Sequence, residues 1–424
     1  MNLNIKKMGI VLLLFIYLFV PPFLPIGTGI LCSLFFVLYI LANLKSIENH
    51  LFLKPILGIA FGITTLLLYA VFVYVRVYNS FENIVPAYMG YVYMISFTLC
   101  GTMVICDICA KNGYSAKEIW ELIIYAGAVQ GILGFGAYLI DPIQTVLCKF
   151  LENIMAADEI AWWRNFRLYG LASSLNFSMP VLQSIIGAMA LIYAKQYNKK
   201  YLIFVPILWG SALINARITL VVVLIVLFVM VMHYLGFQHN LKIKNTVLFF
   251  ITMGVAGAVF AVCWLVINKV NLSRITDPIV EVLALLRGET VFKTNGYLAY
   301  FLADSVAFVM PENESLIWGG GIWNQVSDIG YIYDLWVGGI VYSLMMYLFY
   351  LVLFKKWYNG LKNQSAFERT LPIICCITLF VVNVKGNIFG GMSEFINLCY
   401  LLIGVSLFIK KNKNKSMRKV NPSE

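Results

Sequence analysis

Apolar runs long enough to matter follow one another along the chain, each closed by a short polar stretch. They lie near 8–25, 26–44, 55–75, 86–106, 119–140, 171–194, 201–215, 218–235, 246–268, 329–354, 370–385 and 387–409. A helix of about twenty apolar residues crosses the roughly 30 Å of hydrocarbon in a bilayer. Lipid offers backbone groups no water, so they must bond within the segment, which a helix achieves alone; barrel strands would be half as long and alternating. The pattern predicts an all-α polytopic membrane protein with about twelve transmembrane helices. It reads as one integral membrane domain over 1–424, with two long loops at 141–170 and 269–328 and a tail at 410–424. The opening "MNLNIKKMGIVLLLFIYLFVPP" reads as a retained first helix, since no small-x-small cleavage site precedes the next apolar run.

Composition fixes the solvent. Hydrophobic residues make up 61% of the 424 and charged ones 12%, and the mean hydropathy is +0.84. With both termini in the cytoplasm, about two thirds of the Lys and Arg fall on the inner side, from Lys6 and Lys7 through Lys195, Lys199, Lys200, Lys355, Lys356 and Arg369 to the tail "KKNKNKSMRK". The net charge of +11 is therefore an orientation signal for a multi-pass protein of the cytoplasmic (inner) membrane, and calls for no nucleic-acid partner. Nine Cys are scattered through apolar runs with no His beside them, so packing is the expected role and no metal site is read. "CDIC" at 106–109 is a lone CxxC without a second pair.

Both outer loops are too long to be mere connections. In "DPIQTVLCKFLENIMAADEIAWWRNFRLYG", Asp141 as cap and Pro142 in the first turn start a helix whose Ile143, Leu147, Phe150, Leu151 and Ile154 share a face. That predicts a helix lying in the membrane surface, followed by Trp162 and Trp163 at headgroup level. Asp277 and Pro278 repeat the signal in the second loop, Arg287 and Gly288 end the helix, and the loop closes on "WGGGIWNQVSDIGYIYDLW". Three successive glycines permit positive φ and close backbone approach. Interfacial anchoring accounts for most of the outer aromatics, from Tyr169, Tyr297 and Tyr300 to Trp318, Trp323, Tyr331 and Tyr333.

Arg164, Arg167, Arg217, Arg274 and Arg287 face outward, with Lys293 beside them. Arginine binds phosphate oxygens bidentately and keeps its charge, but a loop arginine also serves as a headgroup anchor. Arg217 stands apart, in "LWGSALINARITLVVVLIVLFVMV". One crossing through that run would invert the downstream half and turn its Lys-rich loops outward, so the charge rule places Arg217 at an outer turn between two short helices. A cation there calls for an anionic partner, either an acidic side chain or a bound phosphate.

"RLYGLASSLNFSM" from Arg167, "NARITLVVVL" and "GGGIWNQVSDIGYIYDLWVGGI" after a large outer loop resemble the Wzy-type O-antigen and capsular polysaccharide polymerases, whose relatives include the O-antigen ligases. The resemblance covers most of the chain in layout and rests on short, degenerate motifs. It implies a GT-C-like membrane glycosyltransferase that joins undecaprenyl-diphosphate-linked oligosaccharide units on the outer face of the membrane. It implies no cofactor and no metal; membrane lipid, a flippase and a chain-length regulator would be its partners. Departure of a lipid diphosphate calls for cations, which Arg164, Arg167, Arg217, Arg274, Arg287 and Lys293 supply, with Arg217 foremost. A proton acceptor for the attacking hydroxyl is Asp328, then Asp304; Asp328 also fits a helix cap. Glu281, Glu289 and Glu312 read as solvated loop charges. The ligases carry a functional His in the large outer loop, and this loop has none, which favours polymerase over ligase. A flippase or transporter of lipid-linked oligosaccharide remains the rival from another class; it would show two similar halves, and no internal repeat is visible.

Overall fold

The computed structural model describes residues 5–23, 27–80, 84–153, 155–156, 159–160, 170–172, 177–216, 218–237, 309–321, 329–389 and 393–410. Apart from an isolated bridge between Leu51 and Ile409, their regular structure is helical. The helices are α1 (Ile5–Phe19), α2 (Thr28–Ala42), α3 (Leu44–His50), α4 (Leu53–Tyr78), α5 (Ile84–Tyr93), α6 (Cys100–Lys111), α7 (Ala116–Leu139), α8 (Asp141–Leu151), α9 (Ser178–Gln196), α10 (Phe204–Asn215), α11 (Ile218–Phe237), α12 (Asn313–Trp318), α13 (Gly330–Gly360), α14 (Thr370–Val382) and α15 (Glu394–Leu407). A π-helical turn, Met94–Leu99, joins α5 to α6.

Every apolar run expected from the sequence holds a helix except that near 246–268, which lies outside the described residues. Among the described residues five helices are long and apolar enough to cross a bilayer, or six if α2 and α3, bent by 82°, form one span. The chain is thus an all-α protein with the helices of a membrane protein. Several ends differ from expectation. The first helix stops at Phe19 rather than near 25, because Val20 takes φ 44° and two prolines follow. The runs near 171 and 387 become helical only at Ser178 and Glu394. Asp141 is not a cap: Ile140 holds that place, and Asp141 and Pro142 occupy the first turn. The expected face of α8 does turn inward at Leu147, while Lys149 stays exposed. Phe150 meets Phe23 at 5.7 Å, and just beyond α8 Asn153 donates to the Pro22 carbonyl at 2.9 Å.

Helix α9 is the centre: every residue from Ser178 to Ala194 is buried, against α7, α10, α11, α14 and α15. Contacts sort the helix ends onto two sides. On one, Gln196 bonds Ser365, Tyr197 donates to Glu368 at 2.6 Å, and Lys117 lies 4.2 Å over the Tyr197 ring. Trp357 donates to Ser406 at 3.1 Å and Lys410 N–H to the His50 carbonyl at 2.8 Å. These residues lie beside the lysine-rich loops, and this side is called the lysine end. The other, the loop end, gathers Asn153 with Pro22 and the Arg76–Glu314 ion pair at 2.7 Å.

At the loop end the glycine run lies on a break in α13, where Gly339 takes φ 69° and ψ −168°. Gly320 N–H donates to the Trp336 carbonyl at 2.8 Å. A Cβ on Gly319, itself at φ 93°, would lie 2.4 Å from the Gly338 Cα, and one on Gly339 would lie 2.3 Å from the Ile317 carbonyl oxygen. Backbone meets backbone here, so neither side can yield. Gly319→Ala should therefore lower the melting temperature of the purified protein strongly. Gly58→Ala, at a helical glycine with nothing within 4 Å, should leave it unchanged or raised. Equal melting temperatures for the two variants would contradict the crossing.

Candidate functional site

Arg164, Arg167, Arg217, Arg274, Arg287, Lys293, Asp304 and Asp328 all lie outside the described residues, as does the helix expected after Asp277. Their flanks are described. α10 ends at Asn215, Ala216 is extended at φ −154° and ψ 135°, and α11 begins at Ile218. The far part of α11 brings the His233 ring to 6.2 Å from Phe367, beside Ser365 and Glu368 at the lysine end. Because α10 starts at that same end, just after Tyr197 and Tyr201, the chain leaves in α10 and returns in α11. The break at Ala216 thus lies toward the loop end.

α10 has 12 residues, α14 has 13 and α15 has 14, each well short of the about twenty needed to cross hydrocarbon. Buried polar side chains collect around their loop-end termini. Beside α10 stand Gln130, Gln183 and Thr219, all 0% exposed, with Ser211 at 1% and Asn215 at 3%. Ser211 Oγ donates to Gln183 Oε1 at 3.4 Å, a long bond, and Asn215 Nδ2 donates to the Ser211 carbonyl at 2.8 Å. Gly170, the glycine three residues after Arg167, meets the same group. Leu171 N–H donates to Gln130 Oε1 at 3.2 Å. A Cβ at Gly170 would lie 3.0 Å from Gln130 Nε2, and φ is +65°, so this position takes glycine.

Around α14 the buried carboxylate is Asp334. Its Oδ2 accepts from Tyr347 Oη at 2.8 Å and Asn383 Nδ2 at 3.1 Å. Asn383 also accepts Ile388 N–H on its Oδ1 at 3.1 Å, and its carbonyl takes Gly330 N–H at 2.8 Å. At α15, Ser178 Oγ accepts Phe395 N–H at 3.3 Å and lies 2.8 Å from Ser393 Oγ, next to the buried Glu394. Deeper, Thr98 Oγ1 donates to Asn397 Oδ1 at 2.7 Å, and Tyr17 Oη lies 2.9 Å from the Thr98 carbonyl beside the π-turn.

The lysine end is built differently. Asp107, fully buried, accepts from Lys111 Nζ and Tyr39 Oη, each at 2.9 Å, and from Ser46 Oγ at 3.0 Å, while His50 Nδ1 stands 2.9 Å away. This cluster fastens the bend between α2 and α3 to α6. "CDIC" thus places two buried thiols around a structural carboxylate. Burial, and then the Glu368 carboxylate, push the Tyr197 phenol above its ordinary value, so it stays a donor across the physiological range. Among the described residues no group of three or more His, Cys, Asp and Glu gathers as a metal site.

Sequence reading missed Gln130, Gln183, Asp334 and Glu394. The signal was present, since each is a polar residue within or bordering an apolar run, and intramembrane polar groups mark function or essential contacts. Of the expected outer groups that are described, Glu312 and Trp318 are exposed, whereas Tyr331 donates to the Phe380 carbonyl at 2.6 Å. Comparison with protein-family models and with curated proteins finds no match to the chain.

The Asp334 cluster makes a direct prediction. Asp334→Leu leaves Tyr347 Oη and Asn383 Nδ2 without their acceptor, at about 1–3 kcal/mol each, and should depress the melting temperature sharply. Asp334→Asn retains an acceptor oxygen and should fall in between. A Leu variant as stable as wild type would show that the cluster does not hold α13 to α14.

Proposed function

We propose that the chain is a Wzy-type polymerase of about twelve transmembrane helices, GT-C-like, with both termini in the cytoplasm and its loop end on the outer face of the inner membrane. It would join undecaprenyl-diphosphate-linked repeat units. The reading is carried by one observation: the helix break beside Arg217 and the glycine of the Arg167-x-x-Gly170 element converge on one buried polar tract at the loop end. In the reaction, the acceptor hydroxyl oxygen attacks the anomeric carbon of the donor sugar and the bond from that carbon to the diphosphate oxygen breaks. The hydroxyl proton passes to a carboxylate, Asp328 first and Asp304 second. Arg217, with Arg164, Arg167, Arg274, Arg287 and Lys293, neutralises the charge that develops on the departing diphosphate.

Loss of the gene should leave single repeat units on their normal carrier or end acceptor, because export and ligation still operate. Lipid-linked glycan analysis of a deletion strain checks this; units trapped on the cytoplasmic face as the sole accumulated product would indicate a flippase instead. Arg217→Ala should abolish chain extension in protein inserted at normal levels, and Arg217→Lys, which keeps the charge but loses the planar fork, should stay well below wild type. Near-normal polymer length from the Lys variant, read on gels, would remove Arg217 from the site.

A further inference from the structure

The tract beside the break at Ala216 contains two buried polar groups for which the described residues offer no partner. Gln183 Nε2 and Thr219 Oγ1 are fully buried and have no hydrogen-bond partner among the described residues. An amide or hydroxyl left unpaired in an apolar setting costs several kcal/mol, and a leucine or valine at either position would avoid that cost. Gln183 faces Gly131 of α7, where a Cβ would stand 3.1 Å from its Nε2, and its only described bond, from Ser211, is the long one at 3.4 Å. Gln130, one residue away from Gly131, is the residue on which the Gly170–Leu171 backbone rests. Unused hydrogen-bonding capacity therefore lies between α7, α9, α10 and the start of α11, immediately beside the turn that carries Arg217.

We infer that Gln183 and Thr219, with Ser211 and Asn215, form a subsite for a neutral, hydroxyl-bearing ring: the sugar attached directly to the lipid diphosphate. This rests on the polymerase reading and specifies which part of the substrate the tract takes. The chemistry separates the candidates. A diphosphate only accepts hydrogen bonds and asks for cations, whereas these four side chains are uncharged and offer donors and acceptors together, which is what a hydroxyl, itself both, can use. A polyprenyl chain would use neither. Arg217, next along the chain from Ala216, would then hold the diphosphate while its neighbours hold the first ring, so that the breaking bond lies between a charged and a neutral half of one site.

The test uses the full-length protein purified in detergent. The probes are short-chain polyprenyl diphosphates, each bearing one hexose or N-acetylhexosamine, and the same diphosphate without sugar. Wild type should bind at least one sugar-bearing probe about tenfold more tightly than the bare diphosphate, the order of one or two good hydrogen bonds. Gln183→Leu and Thr219→Val should each erase most of that advantage and leave the affinity for bare diphosphate unchanged. Their melting temperatures without probe should stay level or rise, since each removes an unsatisfied polar group. Variants that keep the advantage, or that lose stability while keeping it, would show an internal packing role and overturn the subsite, with the polymerase reading intact. Wild type that binds neither class of probe would overturn both. Should Gln183→Leu fail to fold, Thr219→Val decides by the same readings.

Discussion

The terminal backbone groups of a helix need partners from outside it, and the loop end of this protein is organised around that constraint. α10, α14 and α15 all stop early. At α14, Asn383 turns its carbonyl to Gly330 N–H and its side-chain oxygen to Ile388 N–H. At α15 the Phe395 N–H is taken by Ser178 from the central helix. Buried Asp334, Ser393 and Asn397 follow from the same need. Around these three helix ends the neighbouring helices carry buried polar side chains where an apolar helix would carry leucine.

The two ends of the bundle solve different problems. At the lysine end a single carboxylate, Asp107, collects donors from three helices and holds a sharp bend. At the loop end the Arg76–Glu314 pair is exposed, with side-chain accessibilities of 41% and 82%, and such a pair contributes about 0–1 kcal/mol. What places the segment ahead of α13 is steric: Gly319 lies against Gly338 and Gly339 closer than a Cβ allows.

That division bears on function. The buried carboxylate Asp334 at the loop end is satisfied by neutral donors, Tyr347 and Asn383, so it consumes no cation. The tract beside Ala216 is neutral as well.

Composition and period alone determined that the chain is helical and of membrane type, because lipid allows few ways to satisfy a backbone and apolar runs of fixed length report one of them. The charge pattern also argued against one continuous helix through 208–231, and α10 and α11 are separate helices. The close backbone approach at "GGG", which only glycine permits, was legible too. Tertiary structure decided the rest. That α10, α14 and α15 are short, that the helices begin at Ser178 and Glu394, that Gln130 and Gln183 are buried beside α10 and that Asp334 is buried against Tyr347 and Asn383 depends on which side chains satisfy which helix ends. Those partners are 41 residues apart for Gln130 and Leu171 and 217 for Ser178 and Phe395. Local propensity carries no record of contacts at such distances, so only the folded chain could bring them to one place.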